Sequence, residues 1–151
     1  MSQSLSKMWC HLIFSTKDRY PFLTKTEIRE QTHAYMAGSL RKHNSVPLMV
    51  GGVADHVHSL FALSKNHSIA EIVYEVKRGS SKWIKTQGST FRAFHWQSGY
   101  GAFSVSQSHV EQVRRYITGQ ERHHRRHTFQ DELRQILRRY EIDYDERYLW
   151  D

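Results

Sequence analysis

The chain has 151 residues, enough for one domain with a real core and too few for a multi-domain enzyme. Lys and Arg number 22 against 15 Asp and Glu, and the formal net charge of +7 favours a polyanionic partner without establishing one. Cys10 is the only cysteine, which excludes an intrachain disulfide and a thiolate-rich zinc site and suits a reducing, cytoplasmic setting. The longest apolar runs, Met8 to Phe14 and Val46 to Val53, fall far short of the ~20 residues a membrane-spanning helix needs, and no secretory signal opens the sequence.

Met8 to Phe14 reads as a first strand of bulky, β-prone residues, closed by the polar Ser15 to Arg19 and a turn at Pro21. Thr24 and Glu27 have capping-box spacing, with Leu23 and Ile28 as the flanking staple, and predict a helix to about Asn44 that buries Tyr35, Met36 and Leu40. Val46 to Val50 is a second strand, Gly51-Gly52 the tight connection and Val53 to Leu63 a third strand, together an antiparallel hairpin. Ser68 and Glu71 repeat the capping-box spacing before Ile69, Ile72, Val73, Val76 and Trp83, which recur at helical intervals to roughly Gln87. Gly88 to Gly99 is looser, with Trp96 and Tyr100 as aromatic anchors, and Ala102 to Ser106 alternates as a fourth strand. Ser108 with Glu111 opens a third helix, at about 108–126. Thr128 with Asp131 opens a last one carrying Leu133, Ile136, Leu137 and Tyr140 on one side, before an acidic, aromatic tail from Ile142 to Asp151.

The order strand, helix, strand, strand, helix, strand predicts an α+β fold, a ferredoxin-like split βαβ antiparallel sheet with additional C-terminal helices, as one domain over 1–151. Strand alternation turns Val57, Phe61 and Leu63 toward the first two helices and His56, His58 and Leu60 the other way. The third helix carries a stripe of Val110, Val113, Tyr116, Ile117 and Gln120 suited to cover that second face, which brings Tyr116 and Gln120 to the histidines.

Two imidazoles spaced by two on a strand project from one face and make half of a metal site. Neutral imidazoles and a carboxamide oxygen leave a divalent cation its full charge, which suits polarising a phosphodiester. Tyrosine is a poor nucleophile at its reference pKa of about 10, and a nearby cation favours the phenolate. Its attack on phosphorus yields a covalent phosphotyrosine and expels a sugar hydroxyl. Taken singly, each element has a plainer reading: His56-Val57-His58 as a half-exposed polar pair on a strand, Tyr116 as packing, and Gln120 as a residue that by itself draws no notice. Only the conjunction of the two pairs across one sheet face points to chemistry.

Several motifs resemble the HUH endonucleases, specifically the insertion-sequence 200/605-like single-tyrosine transposases and the repeat-associated tyrosine transposases. They are Trp9-x-His11-x-Ile13-Phe14-Ser15-Thr16-Lys17, Asp55-His56-Val57-His58, Trp96-x-x-Gly99-Tyr100 and Tyr116-Ile117-x-x-Gln120-x-x-His123-His124, and they span nearly the whole chain. The resemblance implies that Tyr116 joins to the 5′ phosphate of single-stranded DNA beside a hairpin and releases a 3′ hydroxyl. It also implies that His56, His58 and Gln120 hold a divalent metal, Mg2+ or Mn2+, and that the protein works as a homodimer in which Tyr116 serves its own site or its partner's.

Lys77, Arg78 and Lys82 on the second helix, and Arg114, Arg115, Arg122, Arg125 and Arg126 on or after the third, are the candidate phosphate contacts; for any one of them a solvated charge is the competing reading. Two alternatives to a transposase stand beside it. One is a non-enzymatic nucleic-acid binder on a similar sheet, although the aromatic signature of RNA-recognition domains is missing from these strands. The other is a metal-dependent hydrolase, which needs a carboxylate near the histidines; Asp55 is adjacent, but strand alternation turns it to the opposite face.

Overall fold

The computed structural model describes residues 1–150. Strands β1 (Trp9–Ser15), β2 (Val46–Gly52), β3 (His56–Ala62) and β4 (Gly101–Val105) form one sheet in the order β2-β3-β1-β4, every neighbouring pair antiparallel. Helix α1 (Thr26–Lys42) connects β1 to β2, and α2 (Ile69–Lys85) connects β3 to β4. The fold is therefore the ferredoxin-like α+β arrangement. Beyond β4 come α3 (Val110–Thr118), the single turn α4 (Gln120–His123), α5 (Phe129–Arg139) and the short α6 (Glu146–Leu149). No helix among the described residues is long and apolar enough to cross a membrane.

The period of two in the strands divides the interior into two layers. Cys10, Leu12 and Phe14 of β1 and Val57 and Phe61 of β3 pack with Met36, Leu40, Ile72, Val73, Val76 and Ile84 from α1 and α2. On the other side, Leu60 and Val105 meet Val110 and Ile117 of α3, while Ile13 and Phe103 meet Phe129, Ile136 and Leu137 of α5. The histidine face of β3 thus has a double cover, α3 as expected from its stripe and α5 in addition.

Local signals succeed where the side chain has no better partner. Ser68 and Glu71 form the reciprocal capping box of α2, and Thr128 accepts from the Asp131 amide at the start of α5. Thr24 does not cap: its hydroxyl donates to the Pro21 carbonyl, and α1 starts after Lys25. Ser108 does not cap either, since its hydroxyl joins Ser106 and the His109 ring, and α3 starts after a 3-10 turn over Gln107–His109. The helix expected over 108–126 is interrupted at Gly119, between α3 and α4.

Gly51 and Gly52 are not the hairpin connection. They pair with His58 and Val57 as the last residues of β2, and Val53, Ala54 and Asp55 make the turn. Their small size serves close approach: a Cβ on Gly51 would lie 3.0 Å from Ile117 Cγ2 and 3.1 Å from the Ile117 carbonyl oxygen. That gap lets α3 settle directly on the sheet. Trp96 is an anchor as expected, edge-on to Phe14 and Phe94 and donating from Nε1 to Ser80 Oγ at 2.9 Å. Tyr100 is not; it is 43% exposed. Tyr140, at the end of α5, is similarly 40% exposed, and Tyr35 at 38% lies stacked on Trp83 rather than buried.

Candidate active site

His56 and His58 lie on the face of β3 covered by α3 and α5, and both are fully buried. Tyr116 reaches them from α3 and Gln120 from the first residue of α4, all within one chain. His56 Nε2 is 3.3 Å from Gln120 Oε1, and the rings of His58 and Tyr116 stand edge to face at 5.8 Å. The four residues singled out in the sequence are therefore neighbours.

Two further residues occupy the centre. Glu132 of α5 lies 3.3 Å from His56 Nε2 and 3.0 Å from His58 Nε2 through Oε1, and its Oε2 accepts from Gln120 Nε2 at 3.1 Å and from the Tyr116 hydroxyl. His124 places Nε2 2.9 Å from both His56 Nε2 and Gln120 Oε1, while its Nδ1 rests against the His127 carbonyl at 2.8 Å. One ligand atom from each of His56, His58, His124 and Glu132 falls within 4.8 Å of all the others. Three imidazole nitrogens and one carboxylate oxygen are a fit donor set for a divalent cation of the first transition series.

Outer contacts orient this set. Asp55 Oδ1 is 2.7 Å from His56 Nδ1, so the carboxylate expected on the far face in fact supports a site histidine. The reason is local: Asp55 belongs to the turn before β3, where strand alternation does not apply. His11 from β1 lies with Nε2 2.9 Å from His58 Nδ1. Phe129 stacks on His56 at 4.3 Å and closes the site from the α5 side.

The electrostatics are those of a buried ion cluster. Burial opposes charge on His56, but Asp55 and Glu132 outweigh it and hold the ring above its ordinary range. Burial dominates at His58 and at His11, the latter lowered to about 3. Burial also opposes charge on Glu132, yet the hydrogen bonds from His124, His56 and His58 hold its carboxyl well below the usual range. Burial and then the Glu132 carboxylate push the Tyr116 phenol well above its ordinary value. Without a cation the nucleophile candidate is thus a hydrogen-bond donor, with its proton held at a carboxylate.

Arginines ring the approach. Arg115, Arg122, Arg125 and Arg126 line a depression of about 590 Å³ that reaches Tyr116 and His123. Arg114, which is paired with Glu111, borders an adjoining one of about 500 Å³. The expected contacts on α2 lie elsewhere, because that helix packs on the opposite face of the sheet. Lys77 is a structural group there: Nζ donates to the Gln97 and Gly99 carbonyls at 2.7 Å each, and burial lowers its pKa to about 8. Arg78 pairs with Glu75 and lies over the Tyr74 ring, and Lys82 is exposed on the same helix.

Glu132 carries no ligand signature in the sequence of the kind that His56 and His58 do, whereas His124 follows Gln120 by four and shares its helical face. A weaker signal exists for Glu132. Glu132 sits three residues after Phe129 and four before Ile136, so an acidic group falls on the apolar stripe of α5. An acidic residue in that phase needs partners when the stripe is buried.

The family model described as "Transposase IS200 like" matches residues 4–120. Among solved structures, a candidate transposase from Deinococcus radiodurans R1 is similar at 21% identity, with a TM-score of 0.61 over 78% of this chain and 93% of that one. A REP-associated tyrosine transposase bound to a REP hairpin is similar at 12% identity, with a TM-score of 0.59 over 81% of this chain and 72% of that one. Likeness at these identities speaks for the fold. No curated protein sequence matches the chain. His124 and Glu132 lie beyond the matched segment.

Proposed function

The chain belongs to the IS200-like transposase family, and from that premise we propose that it cleaves and rejoins single-stranded DNA near hairpins through a covalent 5′-phosphotyrosine on Tyr116. The observation that carries this reading is the meeting of Tyr116, Gln120, His56 and His58 in one pocket built from a single chain. Tyr116 then acts in cis, on the site of its own chain. A structural relative that holds a hairpin supports the hairpin substrate. Arg115, Arg122, Arg125 and Arg126 line the path by which a phosphate backbone reaches Tyr116.

His56, His58 and Gln120 would hold the divalent metal, with His124 and Glu132 offering further donors in the same cluster. A nitrogen-rich set suits Mn2+ better than Mg2+, which prefers oxygen ligands. Bound there, the metal supplies Lewis-acid polarisation of the scissile phosphate and favours the phenolate. The chain's own groups do the rest. The Tyr116 oxygen forms the bond to phosphorus, the bond from phosphorus to the 3′ oxygen breaks, and that oxygen leaves with a proton from solvent. Glu132 Oε2 accepts the phenolic hydrogen bond and so orients the hydroxyl, and the phenolic proton is given up to solvent as the phenolate forms. Rejoining is the reverse, with a 3′ hydroxyl attacking the phosphotyrosine.

A second reading has one observation behind it. Glu132 is the carboxylate beside the histidines that a metal-dependent hydrolase requires. A single experiment separates the two. Purified protein is incubated with Mn2+ and hairpin-bearing single strands labelled on the 3′ side of the cut, and denatured products are resolved by size. Label retained on the protein, and lost in Tyr116→Phe, is the expected result. Cleavage that leaves free 5′ phosphates, or an adduct that persists in Tyr116→Phe, overturns the strand-transfer reading.

A further inference from the structure

Tyr116 stands between two depressions. One is the arginine-lined groove already described; the other, also about 590 Å³, opens between α3, β4 and α5 and includes Tyr116 and Glu132 in its lining. Its walls are of two kinds. Val105, Val113 and Tyr140 are apolar surfaces, and the Tyr140 ring is fixed in place, donating from its hydroxyl to the Ser104 carbonyl at 2.8 Å and leaning on Phe103 at 4.9 Å. Gln112, Gln135 and Arg139 line the same cavity and are open to solvent.

This combination suits one kind of occupant. Tyr140, a residue 40% exposed whose ring is held against Phe103, offers a preset aromatic surface on which a flat ring can stack. A carboxamide offers a donor and an acceptor side by side, which matches the edge of a nucleobase. The two residues that separate this cavity from the arginine groove, Tyr116 and His123, line both. A strand whose phosphates follow the arginines therefore has the base next to the reacting phosphate within reach of the second cavity.

We propose that the cavity between α3, β4 and α5 receives an unpaired nucleobase adjoining the scissile phosphate, and that Gln112 and Gln135 read its edge. The assignment rests on the strand-cleavage reading, since only a phosphate at Tyr116 puts a base there. It makes these two glutamines specificity-determining residues on the protein side, in helices that do not carry the histidines.

The test uses a pool of hairpin-bearing oligonucleotides randomised over the unpaired positions flanking the stem. Covalently captured strands are sequenced for the wild type, for Gln112→Ala with Gln135→Ala, and for Gln135→Trp, which fills the cavity from its solvent side. The wild type should show a base preference of about tenfold at one position next to the captured phosphate. The double variant should flatten that position and leave preferences elsewhere intact, and Gln135→Trp should lose the preference at that same position. An unchanged preference in both variants, or an equal loss at every position, overturns the pocket while leaving the covalent mechanism standing. If the wild type captures nothing, the cleavage reading fails. The same pool selected by binding alone to Tyr116→Phe then decides the pocket: a one-position preference lost in the glutamine variants supports it, and its absence sinks it.

Discussion

Asp55 Oδ1 lies 2.7 Å from His56 Nδ1, on the side of the ring away from Glu132. A proton held at Nδ1 by that carboxylate leaves the Nε2 lone pair for a cation, and an outer carboxylate of this kind raises the donor strength of its histidine. Asp55→Asn should therefore weaken Mn2+ binding by about 10- to 100-fold, measured by calorimetry. Equal affinity in the variant would mean that Asp55 serves only the turn.

Acid should destabilise the fold through its buried histidines. His11 is lowered to about 3, by burial and then by His58, and His33 to about 4, by burial and then by Arg29. Both values lie below the ordinary 6.5, so between these limits the unfolded chain binds protons that the fold refuses. The stability they contribute is complete above pH 6.5 and falls as the pH drops toward 4 and then 3. Each group should cost about 2 kcal/mol between pH 7 and pH 5. His56 is shifted upward and works in the opposite direction. The comparison is therefore made by variant: denaturant melts of His33→Leu at the two pH values should show a smaller loss than the wild type.

Two glycines should respond oppositely to alanine. At Gly51 a Cβ meets Ile117 Cγ2 at 3.0 Å and the Ile117 carbonyl oxygen at 3.1 Å, so Gly51→Ala forces α3 away from the sheet and should cost about 1–3 kcal/mol. At Gly38, inside α1, nothing lies within 4 Å of the added methyl, and Gly38→Ala should stabilise by about 0.5–1 kcal/mol. Thermal melts of the two variants decide it. A neutral Gly51→Ala would show that α3 rests on the sheet with room to spare.

Binding to single strands should depend on the arginines of one face. Replacing Arg122, Arg125 and Arg126 by alanine should lower affinity for every sequence alike and reduce the salt slope by about 0.7 for each phosphate no longer neutralised. Arg78→Ala with Lys82→Ala, on α2 behind the sheet, should leave both unchanged. A salt slope that follows α2 instead would move the DNA to the other face.

Much of this protein is legible in its sequence, because strand alternation and helix phase are local geometry. Residues 56, 58 and 60 of one strand must share a face, and Val110, Val113, Tyr116, Ile117 and Gln120 must share a stripe. Those two facts suffice to bring His56, His58, Tyr116 and Gln120 together, and the capping box at Ser68 and Glu71 is equally local. The tertiary structure decided what depends on meetings between distant segments. Gly51 and Gly52 look like a turn until the approach of Ile117 is seen, and Lys77 looks like a surface charge until two carbonyls of the Gln97 to Gly99 segment capture it. Above all, Glu132 enters the site because α5 folds back over the histidine face, and no spacing within its segment encodes that return, whereas His124 arrives one helical turn after Gln120. A buried carboxylate and a ring of imidazoles acquire their chemistry from one another, so the site's charge and proton balance exist only once the chain has brought them within hydrogen-bond reach.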